Sequence, residues 1–146
     1  MIQSDIATSV KSRLLSNNKK KKILFVDDEP DMTTILKMAL ERVGLDVDAF
    51  NDPALALYNF KPKLYNLVLL DIKMSQMDGF ELYKHIKKID PDVLVCFLTA
   101  SEKYREELRE EEYCALDRGL FFQKPISIKD LTKEIYNRIA HYDSKY

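Results

Sequence analysis

Asp27-Asp28, Asp71, Thr99 and Lys124 each stand at or just past the end of an apolar run, and their side chains could act together. Three carboxylates gathered in one pocket repel one another, so they either take up protons or need a cation. A hard divalent ion meets that need, and Mg²⁺ accepts carboxylates, waters and a phosphate oxygen without an all-protein cage. Lys124 would add a point positive charge and Thr99 a hydroxyl donor, both suited to an anion above Asp71. A carboxylate, a metal ion, a lysine and a hydroxyl so arranged can take a phosphoryl group onto oxygen.

Those residues are far apart in the chain, so secondary structure must bring them together. Ile23 to Val26, Leu67 to Leu70 and Val93 to Leu98 are continuous apolar runs, the pattern of strands buried on both faces. Leu45 to Phe50 alternates apolar and acidic residues, as a half-exposed edge strand does, and Leu120 to Phe122 is a short fifth strand. Helical spacing appears in Met32, Ile35, Leu36, Ala39, Leu40 and Val43, with Gly44 as the stop. A second helix, capped by Asp52, begins at Pro53, and a third after Asp78-Gly79 turns Phe80, Tyr83, Ile86 and Ile89 inward. A Glu-rich fourth helix runs to about Leu116. A last one, capped by Ser127, buries Ile128, Leu131, Ile135, Ile139 and Tyr142. Strands alternating with helices predict an α/β fold, a doubly wound five-stranded parallel sheet with three inner strands. Ligands of such sheets bind beyond the carboxyl ends of the strands, where four of the five runs here end in a polar group.

The formal net charge of −1 conceals an uneven distribution. Residues 1–22 hold six bases and one acid, whereas the remainder holds 17 bases and 23 acids, so an acidic body of −6 carries a basic leader of +5. Residues 1–21 are expected to be a basic flexible leader, 22–142 one domain and 143–146 a tail. An acidic body argues against direct nucleic-acid binding. No run approaches the ~18 apolar residues of a membrane span, and a secretory signal is lacking, so a cytoplasmic protein is expected. Cys96 and Cys114 lack metal-ligand spacing and read as reduced thiols. His85 and His141 read as surface or helix residues, and three glycines exclude Gly-rich nucleotide loops.

Five signatures stand in order at the strand ends: Val26-Asp27-Asp28-Glu29-Pro30, Leu70-Asp71-Ile72-Lys73-Met74, Met77-Asp78-Gly79, Leu98-Thr99-Ala100 and Lys124-Pro125. Together they resemble the receiver domains of two-component response regulators, the CheY-like family, over about residues 22–142. The resemblance implies a flavodoxin-like (βα)5 fold with strand order 2-1-3-4-5. It implies Asp71 as phosphoacceptor, charged by a histidine kinase or phosphotransfer protein, and Mg²⁺ held by Asp27, Asp28, Asp71 and the backbone carbonyl of Lys73. Lys124, beside a cis bond to Pro125, would pair with the phosphoryl group. Thr99 would close on it, with Phe121 as the coupled aromatic switch. A phosphoryl group adds about −1.5 to −2 charge, enough to bias a two-state loop toward a downstream protein effector.

Departures from the family pattern are visible as well. Ser75 stands where a proline commonly follows Met74, which predicts a more flexible loop, and Lys73 and Ser101 occupy positions that border the phosphoryl group. The stretch from Thr99 to Ala115 is longer than usual and carries Glu102, Glu106, Glu107, Glu110, Glu111 and Glu112, which leaves a homodimer mode open.

Taken singly, each of these features has an ordinary reading: acids near a helix start, a turn aspartate, a strand-ending threonine, a lysine in a loop. Their coincidence at one sheet edge favours a stand-alone, phosphorylation-gated signalling module that is no enzyme beyond its own phosphorylation and dephosphorylation. A pseudo-receiver acting independently of phosphorylation is the alternative, but it would not need the acidic pair, Asp71, Thr99 and Lys124. An aspartyl phosphatase is disfavoured because Asp71-Ile72-Lys73 lacks a second acid. Flavin binding is disfavoured because no Ser/Thr/Gly phosphate loop follows the first strand.

Overall fold

A computed structural model of the protein describes residues 20–100 and 121–145. The five expected strands form as β1 (Lys22–Val26), β2 (Asp46–Phe50), β3 (Leu67–Asp71), β4 (Val95–Thr99) and β5 (Phe121–Gln123). They make one parallel sheet in the order β2-β1-β3-β4-β5, so β1, β3 and β4 are interior. The register sets Val26 beside both Phe50 and Leu70, and Asp71 beside Leu98. The carboxyl ends of β1, β3 and β4 are therefore level. The order turns back between β1 and β3, and this is where a crevice opens in such a sheet.

Strand residues alternate strictly between two buried layers. Leu24, Val26, Val68, Leu70, Val95 and Phe97 pack under helices α2 (Pro53–Asn59) and α3 (Gly79–Ile89). Ile23, Phe25, Leu67, Leu69, Cys96 and Leu98 pack under α1 (Pro30–Arg42) and the final helix α4 (Ile128–Lys145). The period of two in each strand divides the core this way, and the sheet is covered on both sides. Four helices lie among the described residues; the expected Glu-rich helix, its six glutamates, Ser101 and Cys114 fall outside them.

Local chemistry sets the element ends. Pro30 occupies the first turn of α1, and Gly44 follows that helix at a φ of 98°, which suits a residue without a Cβ. Asp52 and Asp78 cap α2 and α3 through side-chain bonds to Ala54 N (2.9 Å) and Glu81 N (2.9 Å), and Ser127 accepts from Asp130 N at 3.1 Å. Asp90 ends α3 and, although buried, has its carboxylate satisfied by Lys63 N (2.9 Å) and Asp92 N (3.3 Å).

Some expectations are corrected. Ile35 and Ile89 lie at helical spacing but face outward, 60% and 42% exposed, and Leu82 takes the buried place in α3. Spacing defines a stripe, but the packing angle of the helix decides which edge of it is covered. Lys22 opens β1, and its Nζ pairs with Asp46 (3.0 Å) and Asp48 (3.5 Å) of β2. Lys21 reaches Asp143 at 3.4 Å, and α4 continues to Lys145, past the boundary expected at 142.

Candidate functional site

β1 carries its apolar run straight into Asp27, whose backbone N–H continues the ladder by donating to Phe50 O at 3.1 Å. The Asp27 side chain is fully buried; its Oδ1 accepts from Glu29 N at 3.0 Å, and its Oδ2 lies 3.4 Å from Lys124 Nζ. Asp28 is only partly buried, and its Oδ2 accepts from Ser75 N at 3.1 Å. Asp71 closes β3 and is buried except for a small face, with its Oδ2 3.7 Å from Lys124 Nζ. One oxygen from each of Asp27, Asp28 and Asp71 falls within 4.8 Å of the others. Among the described residues this is the grouping of acids that could hold a metal ion.

The electrostatics show why a cation suits the pocket. Asp71 is pushed up to about 6, first by burial and then by the negative charge of Asp27, with Asp28 adding to it and Lys124 opposing it. One ammonium therefore does not compensate three carboxylates. Three oxygen donors on two adjacent strand ends, with a face open to solvent, suit a small hard ion that keeps several waters. The residues present fit Mg²⁺.

Thr99 closes β4 and is buried; its backbone carbonyl accepts from Lys124 N at 2.7 Å, joining the ends of β4 and β5. The Lys124-Pro125 bond is cis. Lys73 is exposed in the loop after β3. Phe121 is buried and stacks on Phe97, with centroids 5.1 Å apart and planes 19° apart. Phe97 in turn meets Phe80 at 5.1 Å and Tyr83 at 5.6 Å, so β5 is tied to α3 through aromatic rings beneath the site. His85 and His141 are exposed, and Cys96 is a buried free thiol.

Two contacts at the site carry no mark in the sequence pattern. The end of β2 also serves the site: Asn51 Nδ2 donates to the backbone carbonyl of Asp27 (3.2 Å) and to Thr33 Oγ1 (2.6 Å), fixing the turn from β1 into α1. The polar residue at the end of β2 is visible in the chain, but its partners are not. Gly79 N donates to Ile72 O at 2.8 Å, closing the loop after β3. Its proximity to Asp71 had no signature in composition or spacing.

Residues 23–136 match the response regulator receiver domain family. The chain is 34% identical over 115 residues to the response regulator receiver protein CpdR of Brucella abortus, covering 79% of this chain and 93% of that one. Other relatives are longer: the chain spans 26% of the transcriptional regulatory protein ZraR of Klebsiella oxytoca, at 34% identity over 82% of this chain. It spans 10% of the sensor protein EvgS of Escherichia coli, at 32% identity over 87% of this chain. Among solved structures, a CheY-like receiver domain protein of Methanospirillum hungatei superposes with a TM-score of 0.74 at 25% identity, covering 88% of this chain and all of that one. The non-phosphorylated HemR receiver domain of Leptospira biflexa gives 0.70 at 30% identity, covering 82% and 94%. With its flavodoxin-like strand order and its acidic pocket at the sheet's carboxyl edge, the chain belongs to the response regulator receiver domain family.

Proposed function

We propose that this protein accepts a phosphoryl group on Asp71, in a Mg²⁺-dependent reaction, from a histidine kinase or phosphotransfer protein, and answers by changing its affinity for a protein partner. The observation that carries the reading is the convergence of Asp27, Asp28 and Asp71 within 4.8 Å, with Lys124 Nζ 3.7 Å from Asp71 Oδ2. Mg²⁺ bound there would neutralise the acids and bear on the incoming phosphoryl oxygens; Asp27, Asp28, Asp71 and the backbone carbonyl of Lys73 would hold it.

Each side chain has a separate task. The carboxylate of Asp71 is the nucleophile, and the solvent-facing part of an otherwise buried group gives a donor its approach. Lys124, released from pairing with carboxylates, binds a phosphoryl oxygen as a point charge. Thr99 donates its hydroxyl to another, and the movement this requires passes to Phe121. The expected setting is cytoplasmic, with no direct nucleic-acid contact, and among the described residues no helix is long and apolar enough to cross a membrane.

Intact-mass measurement after incubation with Mg²⁺ and a small acyl-phosphate donor tests this. Wild type should gain one phosphoryl group, and Asp71→Asn or EDTA treatment should prevent it. No uptake by wild type, together with no Mg²⁺ binding, would sink the proposal in favour of a phosphorylation-independent interaction module.

A further inference from the structure

The geometry points to the backbone N–H of Ser75 as a positioning contact for Asp28, one that ties the loop after β3 to the acid expected to hold Mg²⁺. This rests on the Mg²⁺ site proposed above. Ser75 N lies 3.1 Å from Asp28 Oδ2 across 47 residues of sequence. A proline at this position would have no N–H to donate, so the serine here makes available a bond that a proline would abolish.

The two acids after β1 are held differently. Asp27 is fully buried, with Oδ1 on Glu29 N and Oδ2 beside Lys124. Asp28 is half-buried, and its Oδ2 is held from the loop after the neighbouring strand β3 by Ser75 N. The donor is itself well placed. Met74 before it is buried in the core layer under α3, and Gly79 N closes the loop on Ile72 O at 2.8 Å. An N–H bond to a carboxylate is charge-assisted and directional, and it narrows the rotamers of a partly solvated aspartate. A carboxylate has two oxygens and about four lone-pair directions, so one such bond leaves others for a cation. Metal at Asp28 then restrains the loop, and by linkage a restrained loop favours the metal.

Mg²⁺ titration of wild type, Ser75→Pro, Ser75→Ala and a semisynthetic form with the Ser75 amide replaced by an ester tests the contact. Hydrogen exchange of the Ser75 amide is followed alongside. The ester replaces the N–H by an oxygen while keeping the serine side chain and an open backbone, so it decides the matter even if proline disturbs Met74. The proline and ester forms should bind Mg²⁺ about 10-fold more weakly, the size expected for losing a group that orients a metal ligand. Ser75→Ala, which keeps the N–H, should retain wild-type affinity, and Mg²⁺ should slow exchange of the wild-type Ser75 amide. An ester form that binds within about two-fold of wild type, or an amide indifferent to saturating Mg²⁺, overturns the Ser75 contact alone. Failure of wild type to bind Mg²⁺ overturns both this contact and the metal site beneath it.

Discussion

A Cβ placed on Gly79 would lie 2.4 Å from the backbone carbonyl oxygen of Asp71 and 3.0 Å from Ile72 Cα. The start of α3 is thus seated directly against the strand end that presents the candidate phosphoacceptor. Backbone atoms on both sides leave no flexible side chain to yield, so Gly79→Ala must separate α3 from β3. We expect a loss of about 1–3 kcal/mol from overpacking, read by urea unfolding, and slower phosphoryl uptake by intact mass. A variant as stable and as rapidly phosphorylated as wild type would refute the close seating.

The acidic pocket makes metal-free stability depend on pH in a stated direction. Asp71 rises from an ordinary 3.8 to about 6 in the folded protein, chiefly through burial and Asp27. The folded state therefore holds this proton more tightly than the unfolded chain. Its contribution is fully present below about pH 4 and is lost as pH rises through about 6. In EDTA, unfolding free energy from Asp71 should fall by on the order of 2 kcal/mol between those limits. Asp71→Asn should remove this part of the pH dependence and be the more stable form at pH 7. Saturating Mg²⁺ should stabilise wild type by mass action. Urea titrations across pH with and without Mg²⁺ measure all three, and an Asp71→Asn protein less stable than metal-free wild type at pH 7 would contradict the account.

Lys124 is the one cation seen pairing with Asp27 and Asp71 among the described residues, at 3.4 and 3.7 Å. Lys124→Met keeps the stem and removes the charge. Without Mg²⁺ it should lose about 1–3 kcal/mol, because a buried carboxylate is left uncompensated. Mg²⁺ should restore much of that loss. If melting temperatures of the variant and wild type match in EDTA, the ion pairs are not stabilising the fold.

Phe121 is buried against Phe97, so its packing role is measurable apart from any switching role. Phe121→Ala should cost about 3–5 kcal/mol by leaving a cavity. Phe121→Tyr is the informative change for signalling: it preserves the ring and should leave phosphoryl uptake intact while altering any phosphorylation-dependent change in amide exchange around β5. Identical exchange patterns in the two proteins would confine Phe121 to packing.

Lys73 projects into solvent two residues beyond Asp71. If Asp71 is phosphorylated as proposed, the charge of Lys73 should alter water's access to the acyl phosphate, so Lys73→Ala should change the dephosphorylation rate, followed by loss of the added mass with time. An unchanged rate would remove Lys73 from the hydrolysis step.

The three inner strands were legible in the chain because buried parallel strands appear as unbroken apolar runs, whereas their order in the sheet came with the family resemblance. Polar residues at the ends of such runs must emerge at one edge of the sheet, so Asp27, Asp28, Asp71, Thr99 and Lys124 could be nominated without coordinates. Helical spacing was less decisive: Ile35 and Ile89 satisfy it and are nevertheless exposed, because the crossing angle of a helix on the sheet is a property of both surfaces. Lys22, counted with the basic leader by charge, belongs to β1 because its partners Asp46 and Asp48 are supplied by a neighbouring strand.

What sequence alone determined is therefore which residue types meet at the carboxyl edge, since local periodicity and strand ends suffice for that. Tertiary structure decided how they meet: Lys124 shared between two acids, Asn51 bonded to the Asp27 carbonyl, Ser75 N–H on Asp28, Gly79 against Asp71 and Phe121 on Phe97. Apart from Gly79 against Asp71, these join segments distant in the chain, and three of the five use backbone groups that nearly every residue type possesses. Their specificity comes from angstrom-scale placement by packing, which no residue type encodes by itself.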